Sequence, residues 1–216
     1  MLFIIVNDSK EKKIVNILKK YEIGFKFVMH GMGMASKSVL DYFGLNEEEK
    51  TIITLILPDV CCKNVLNDLI NKLEFNEHGM GIAFGIPLSS CTKYMLDFYE
   101  NMELEDIEME EVREHLIVTI VNQGNAEKVM MEAKKGGAMG GTTISGLGME
   151  TEKAVKFLNI TIEPEKDIVL ILVPAEIKND VMKLIIDNCG LKTKGAGICF
   201  SLPVDYVAGI HKHANN

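Results

Sequence analysis

Gly195-Ala196-Gly197-Ile198-Cys199-Phe200-Ser201-Leu202-Pro203 decides how this chain reads, because Gly79-Met80-Gly81-Ile82-Ala83-Phe84-Gly85-Ile86-Pro87 has the same pattern. Both fit G-x-G-I-x-F-x-x-P, a glycine-hinged loop running into a short apolar strand. The match spreads outward. Val6-Asn7 recurs as Val121-Asn122 at an offset of 115 (121 − 6), Lys19-Lys20 falls on Lys134-Lys135, and Gly31-Met32-Gly33-Met34 falls on Gly146-Leu147-Gly148-Met149. From Lys50 onward the offset is 116: Lys50 meets Lys166, Pro58 meets Pro174, Val65 meets Val181 and Ile70 meets Ile186. One inserted residue between Gly44 and Lys50 reconciles the offsets, so the chain holds two copies of one unit.

Within each copy the hydrophobic period sets the elements. A β-rich run (2–6 and 116–121) leads through a polar turn into a helical stripe: Ile14, Ile17, Leu18 and Tyr21 in the first copy, Ala126, Val129, Met130 and Ala133 in the second. A second strand near 25–30 and 141–145 closes on Gly-x-Gly, and 35–43 and 150–158 read as short helices. The third strand is an unbroken apolar run (52–57 and 168–173) ending at Pro58 and Pro174. A second helix follows, its buried face marked by Leu66, Leu69, Ile70 and Leu73, and by Ile177, Val181, Leu184 and Ile185. The glycine loop and a fourth strand complete a β-α-β-β-α-β order. That order predicts an α+β fold of two ferredoxin-like units in tandem, each an antiparallel sheet with both helices on one face. Strand three does not alternate apolar and polar residues, so the helix-free face should be covered too, by the sister unit or another chain.

The boundaries follow from the repeat: a first unit at 1–90, an acidic, partly helical connector at 91–114, and a second unit at 115–211. With 47% hydrophobic and 25% charged residues the 216-residue chain is of ordinary globular composition. A net charge of −8 argues against a nucleic-acid-binding surface. No apolar run approaches the roughly 20 residues of a membrane span, and the start lacks the marks of a signal peptide. Five cysteines without a disulfide framework predict a reducing, cytoplasmic setting.

The second copy resembles the nitrogen-regulatory PII signalling proteins and their PII-like relatives. The resemblance rests on Gly146-Leu147-Gly148 after strand two, Pro174 after strand three, and the run from Gly195 through Pro203-Val204-Asp205. It covers nearly all of 116–210, with 2–87 a more diverged copy. It implies a homotrimer whose sheets line the centre. It also implies a non-enzymatic regulator that binds an adenine nucleotide or other small effector between subunits and controls a partner protein by contact. The implied binding residues are Gly146, Leu147, Gly148, Lys194, Gly195, Ala196 and Gly197 in the second unit. In the first they are Gly31, Gly33, Gly79 and Gly81, with Lys93 at one of the family's arginine positions. Glycines there let backbone N–H groups turn toward an anion. The chain departs from the family at Ile198 and Ile82, where a lysine is usual, and at Gly209 and His211, where two arginines are usual. Met149-Glu150 replaces an arginine–glutamine pair, and a short stretch replaces the family's long loop. These departures remove triphosphate-binding charge and favour a less phosphorylated or different adenine nucleotide, or no nucleotide, the alternative being a soft-metal-binding or structural assembly protein without a nucleotide site.

A rival site lies in the first copy, where His30, Met32, His78 and Met80 offer imidazole and thioether ligands to a soft metal such as Cu(I). The competing account makes the methionines gap-filling core residues. No nucleophile–base pair, Walker motif or H-E-x-x-H is present, so no catalytic centre is expected. Cys61-Cys62 begin a helix where a thiolate could be stabilised, but Ile177-Lys178 replace them in the second copy, which favours buried, inert thiols.

Overall fold

A computed structural model describes residues 1–34, 48–77, 79–100, 102, 104–110, 112–148, 155–157, 160–162, 165–193 and 197–210. It is a mixed α+β fold that divides into two compact units. The first comprises Met1–His30, Glu49–Arg113 and the described residues from Pro203 onward; the second comprises the described residues of Gly31–Glu48 and Glu114–Leu202.

In the first unit, β1 (Leu2–Asn7) passes through a 3-10 turn (Asp8–Lys10) into α1 (Glu11–Leu18). Then come β2 (Phe25–Gly33, of which 31–33 belong to the second unit), β3 (Glu48–Ile56, in this unit from Glu49), α2 (Asp59–Leu73), β4 (Ile82–Gly85) and α3 (Lys93–Tyr99). The strand order is β2-β3-β1-β4, with a short strand from the end of the chain, β11 (Tyr206–Ala208), added beside β4. β1 runs antiparallel to β3, with Ile5 opposite Ile52, and to β4, with Ile5 opposite Ile82. Leu2, Ile4 and Val6 pack toward the helices with Ile14, Leu18, Val65, Leu66 and Leu69. On the opposite face Ile5, Ile52 and Phe84 are also buried, and Phe3 stacks on Phe84 at 5.4 Å. The third strand is therefore buried on both faces from Thr51 to Leu55, whereas in 168–173, the run that predicts a doubly covered sheet, Ile168 and Leu172 are only half-buried.

The second unit contains β5 (Glu114–Asn122), α4 (Ala126–Lys135), β6 (Thr142–Leu147), β7 (Val155–Phe157), β8 (Ile160–Ile162), β9 (Glu165–Pro174), α5 (Ala175–Asn188) and β10 (Gly197–Val204). Its strands are ordered β10-β5-β9-β6, the first unit's order repeated. Its helix-facing core is Ile117, Val121, Val129, Met130, Ala133, Val169, Ile171, Val181 and Ile185. All four residues of the stripe predicted on α4 are buried. The sheet's other side buries Leu116, Val118 and Leu170, while Ile198 and Phe200 on β10 stay 57% and 39% exposed.

Two features depart from the expectations. The stretch read as a helix at 150–158 instead contains β7, which pairs antiparallel with β8 (Val155 opposite Ile162); its β-branched and aromatic residues fit a pleated ribbon better than a helix. The segment 35–43 lies outside the described residues. The compact units also do not follow the repeat boundaries. The connector belongs to the first unit, where Met102, Leu104 and Met109 pack on its core. Lys63 holds Asp106 at 3.0 Å and the Asn64 amide donates to the Glu105 carbonyl at 2.8 Å. β11 joins the same unit, and Tyr206 and Ala208 enter its core. Among the described residues, no helix is long and apolar enough to cross a membrane.

Each unit buries a carboxylate on its helix layer, and a buried charge must be paired. In the first unit Asp68 of α2 is held by Lys20, by Lys72 at 3.1 Å and by the Tyr21 hydroxyl at 2.8 Å. In the second, Glu132 of α4 takes Lys135 at 2.6 Å and the Asn188 amide at 2.7 Å. The Lys135 hydrogen bond, helped by Asn188, holds the Glu132 carboxyl below its usual range against the opposing effect of burial.

A carboxyl depressed in the folded state adds stability above its unfolded pKa of about 4.3, and that stability is lost as pH falls through the folded value. Glu132→Gln should therefore lower the melting temperature at neutral pH, with the gap to wild type closing on acidification. A gap that stays constant down to pH 3 would show that the pair carries no linkage. At the head of β10, Gly197 has φ +150° and a Cβ there would run into the Ile120 carbonyl oxygen, whereas Gly124 has φ +85° with open space around it. Gly197→Ala should cost about 3 kcal/mol or more and Gly124→Ala about 1 kcal/mol, compared by denaturant melts; equal losses would remove close approach as the reason.

Candidate functional site

In the first unit Gly79 and Gly81 lie where β1 finishes, and in the second Gly146, Leu147 and Gly197 lie where β5 finishes. In the first unit the fourth strand is drawn in by a steric condition. Gly81 has φ +129°, and a Cβ on it would lie 2.5 Å from the Ile5 carbonyl oxygen and 2.8 Å from Val6 Cγ1. Its repeat partner Gly197 meets the corresponding Ile120 and Val121. Only glycine takes that backbone geometry at that distance, so the loop before the fourth strand is held against the end of the first.

Lys10, at the close of the 3-10 turn, reaches over this loop. Its ammonium donates to the Gly79 carbonyl and lies 3.2 Å from Met80 Sδ. Asp8, two residues earlier, accepts the Thr51 hydroxyl at 2.7 Å and lies 3.8 Å from His30 Nδ1. Asn7 and Lys50, which face each other across β1 and β3, join side chain to side chain. The chain end closes over the same loop: the Gly209 N–H donates to Asn76 Oδ1 at 3.0 Å. Gly209 has φ +86°, and a Cβ there would strike the Gly81 carbonyl. Gly209 thus has no room for a side chain.

The second unit repeats part of this. Lys166 donates to Asn122 Oδ1 at 2.8 Å, the counterpart of the Lys50–Asn7 pair. Gly146 and Leu147 do not form a loop; they continue β6 opposite Lys166 and Glu165, with Leu147 65% exposed and Gly148 just beyond the strand. Asp167 Oδ2 accepts the N–H groups of Gly124 at 2.8 Å and Ala126 at 3.3 Å. That carboxylate fills the start of α4, where an anion would otherwise be attracted. Lys194, Gly195 and Ala196 lie outside the described residues.

The remaining candidates are placed as follows. Gly31 and Gly33 continue β2 within the second unit, Met32 and Gly33 pairing with Thr143 and Thr142. Lys93 opens α3 and turns to Asp97 at 2.8 Å. Of the soft-metal set, His30 faces Asp8 and Met80 faces Lys10, Met32 lies in β2, and His78 is outside the described residues. Among the described residues no cluster of three or more His, Cys, Asp or Glu could hold a metal ion. Cys61 and Cys62 are buried at the start of α2, and burial pushes their thiols up to about 11 and about 12, which leaves no thiolate at neutral pH.

Lys10 and Asp8 are the residues that motif reading passes over. They lie in a polar turn with no repeated counterpart: at the offset of 115, Lys10 becomes Asn125 and Asp8 becomes Gln123. The Asn7–Lys50 pair did carry a signal, since both residues recur in the repeat.

No protein-family model matches the chain, and no curated protein matches it. Among solved structures, Arabidopsis thaliana PII bound to citrate aligns at 22% identity over 43% of this chain and 76% of that one, with a TM-score of 0.33. A Bacillus cereus protein related to NIF3 aligns at 15% identity over 47% of this chain and 28% of that one, with a TM-score of 0.35. An anthrone oxidase-like protein aligns at 8% identity over 100% and 96%, with a TM-score of 0.25. At these scores the comparisons assign no family.

Proposed function

We propose that the chain is a regulatory protein of two ferredoxin-like, PII-like units in tandem, which binds an adenine nucleotide or a related anionic effector and acts on a partner protein by contact. The repeated strand order supports the architecture. The observation that carries the function is the Lys10 ammonium seated on the Gly79-Met80-Gly81 loop. It supplies a cation beside a glycine bend at the end of β1, the combination that receives a phosphate. The second unit has Asn125 in place of Lys10 and a carboxylate at the start of α4, so the first unit is the better seat. The exposed Ile198 and Phe200 on β10 favour burial against further copies of the chain in a cytoplasmic homotrimer. The function needs no catalytic group.

Titration of ATP, ADP and AMP into the full chain tests the reading. One of them should raise the melting temperature, by about 2.7 kcal/mol of stability at a hundredfold excess over its Kd. Lys10→Ala should weaken binding about tenfold, the value of one charge-assisted hydrogen bond of roughly 1.4 kcal/mol. Failure of all three nucleotides to shift the melt, or full affinity in Lys10→Ala, would overturn it.

A further inference from the structure

At the start of β1, away from the glycine loop, the first unit contains a cavity of about 450 Å³. Small-molecule sites span about 300–1,000 Å³. Its walls include Ile56, Leu57, Ile86, Leu88, Met95 and Leu96. One wall is α3, an element of the connector that follows the first copy and not the second. The Tyr99 hydroxyl pins that helix by donating to the Ile56 carbonyl at 2.7 Å. Phe25 backs it, its ring edge-on to Tyr94 at 6.2 Å and to Phe98 at 5.8 Å.

The polar groups of the walls are matched to one another. Besides the Ile56 carbonyl, the Ile86 carbonyl accepts the Met1 ammonium at 2.8 Å. The Gly85 carbonyl accepts the Asp205 N–H at 3.0 Å, and the Pro58 carbonyl accepts the Cys62 N–H at 2.9 Å. Charge is matched as well. Lys63 holds Asp59 at 3.1 Å, and the Met1 ammonium, lowered by burial, lies in the opposing fields of Cys62, Asp205 and Asp59. Glu100, also on the lining, is exposed, where water and salt screen it. An ion entering would lose hydration and meet groups already engaged. Carbon surface is what the cavity offers. Leu88 and Leu96 on its lining are 45% and 60% exposed, and covering such surface is favourable in proportion to its area.

We propose that this cavity binds an uncharged small molecule that is apolar over most of its surface. The site is separate from the glycine loop and does not depend on the reading given above for it. Fluorescence titration of the full chain with phenylnaphthylamine and with anilinonaphthalene sulfonate tests it, since the two share one apolar body and differ in charge. The uncharged probe should bind about ten times more tightly, the scale of one partly desolvated charge. In competition, octanol should displace it at lower concentration than octanoate or octylammonium, each kept below its aggregation range. Met95→Trp should abolish binding by filling the cavity, and Leu88→Trp replaces it if circular dichroism shows that variant unfolded. Equal or tighter binding of the sulfonate, displacement by either ion as readily as by the alcohol, no binding of the uncharged probe, or binding unchanged by the filling variant overturns the proposal.

Discussion

The carbonyl oxygens of Ile5 and Ile120 leave no space for a side chain on the residue that opens the neighbouring strand. Much of the site geometry follows from that restriction. In the first unit the register of β4 on β1 starts from this contact, with Ile82 set opposite Ile5. The loop before β4 must then lie where β1 ends, beside Asn7, Asp8 and Lys10. The cross-strand Asn–Lys pair marks the same end in both units. A backbone contact with no chemistry of its own thus decides which polar groups meet.

The helix layer obeys a looser rule. Lys20 and Lys135 occupy equivalent repeat positions, yet the acid that each neutralises comes from the second helix in one unit and the first in the other. A lysine at the end of the first helix can reach a carboxylate on either element, because its stem is long and its charge is compact. The requirement is that the buried charge be matched. Which helix supplies it is free to drift between copies.

The repeat made the element order legible because the hydrophobic stripes are strong. Ile14, Leu18 and Tyr21 are buried as their spacing predicts, and Ala126, Val129, Met130 and Ala133 follow suit. The β7–β8 ribbon was not legible, since a few residues show no period long enough to separate strand from helix. The path of the chain end was hidden for another reason. Tyr206 and Ala208 pair with Gly85 and Ala83, a contact over more than a hundred residues of chain that no local pattern announces. At the site, the glycines stood out as motifs, while Lys10 depends on a bond to a backbone carbonyl sixty-nine residues away. Side-chain-to-backbone contacts of that span leave no trace in spacing.

The position of β11 bears on synthesis. The first half emerges from the ribosome with the outer edge of β4 bare and with the places of Tyr206 and Ala208 in its core empty. It must wait in that state while more than a hundred further residues are translated. The half made first is therefore sealed last, and a nascent chain halted before Tyr206 would display an open, aggregation-prone strand edge.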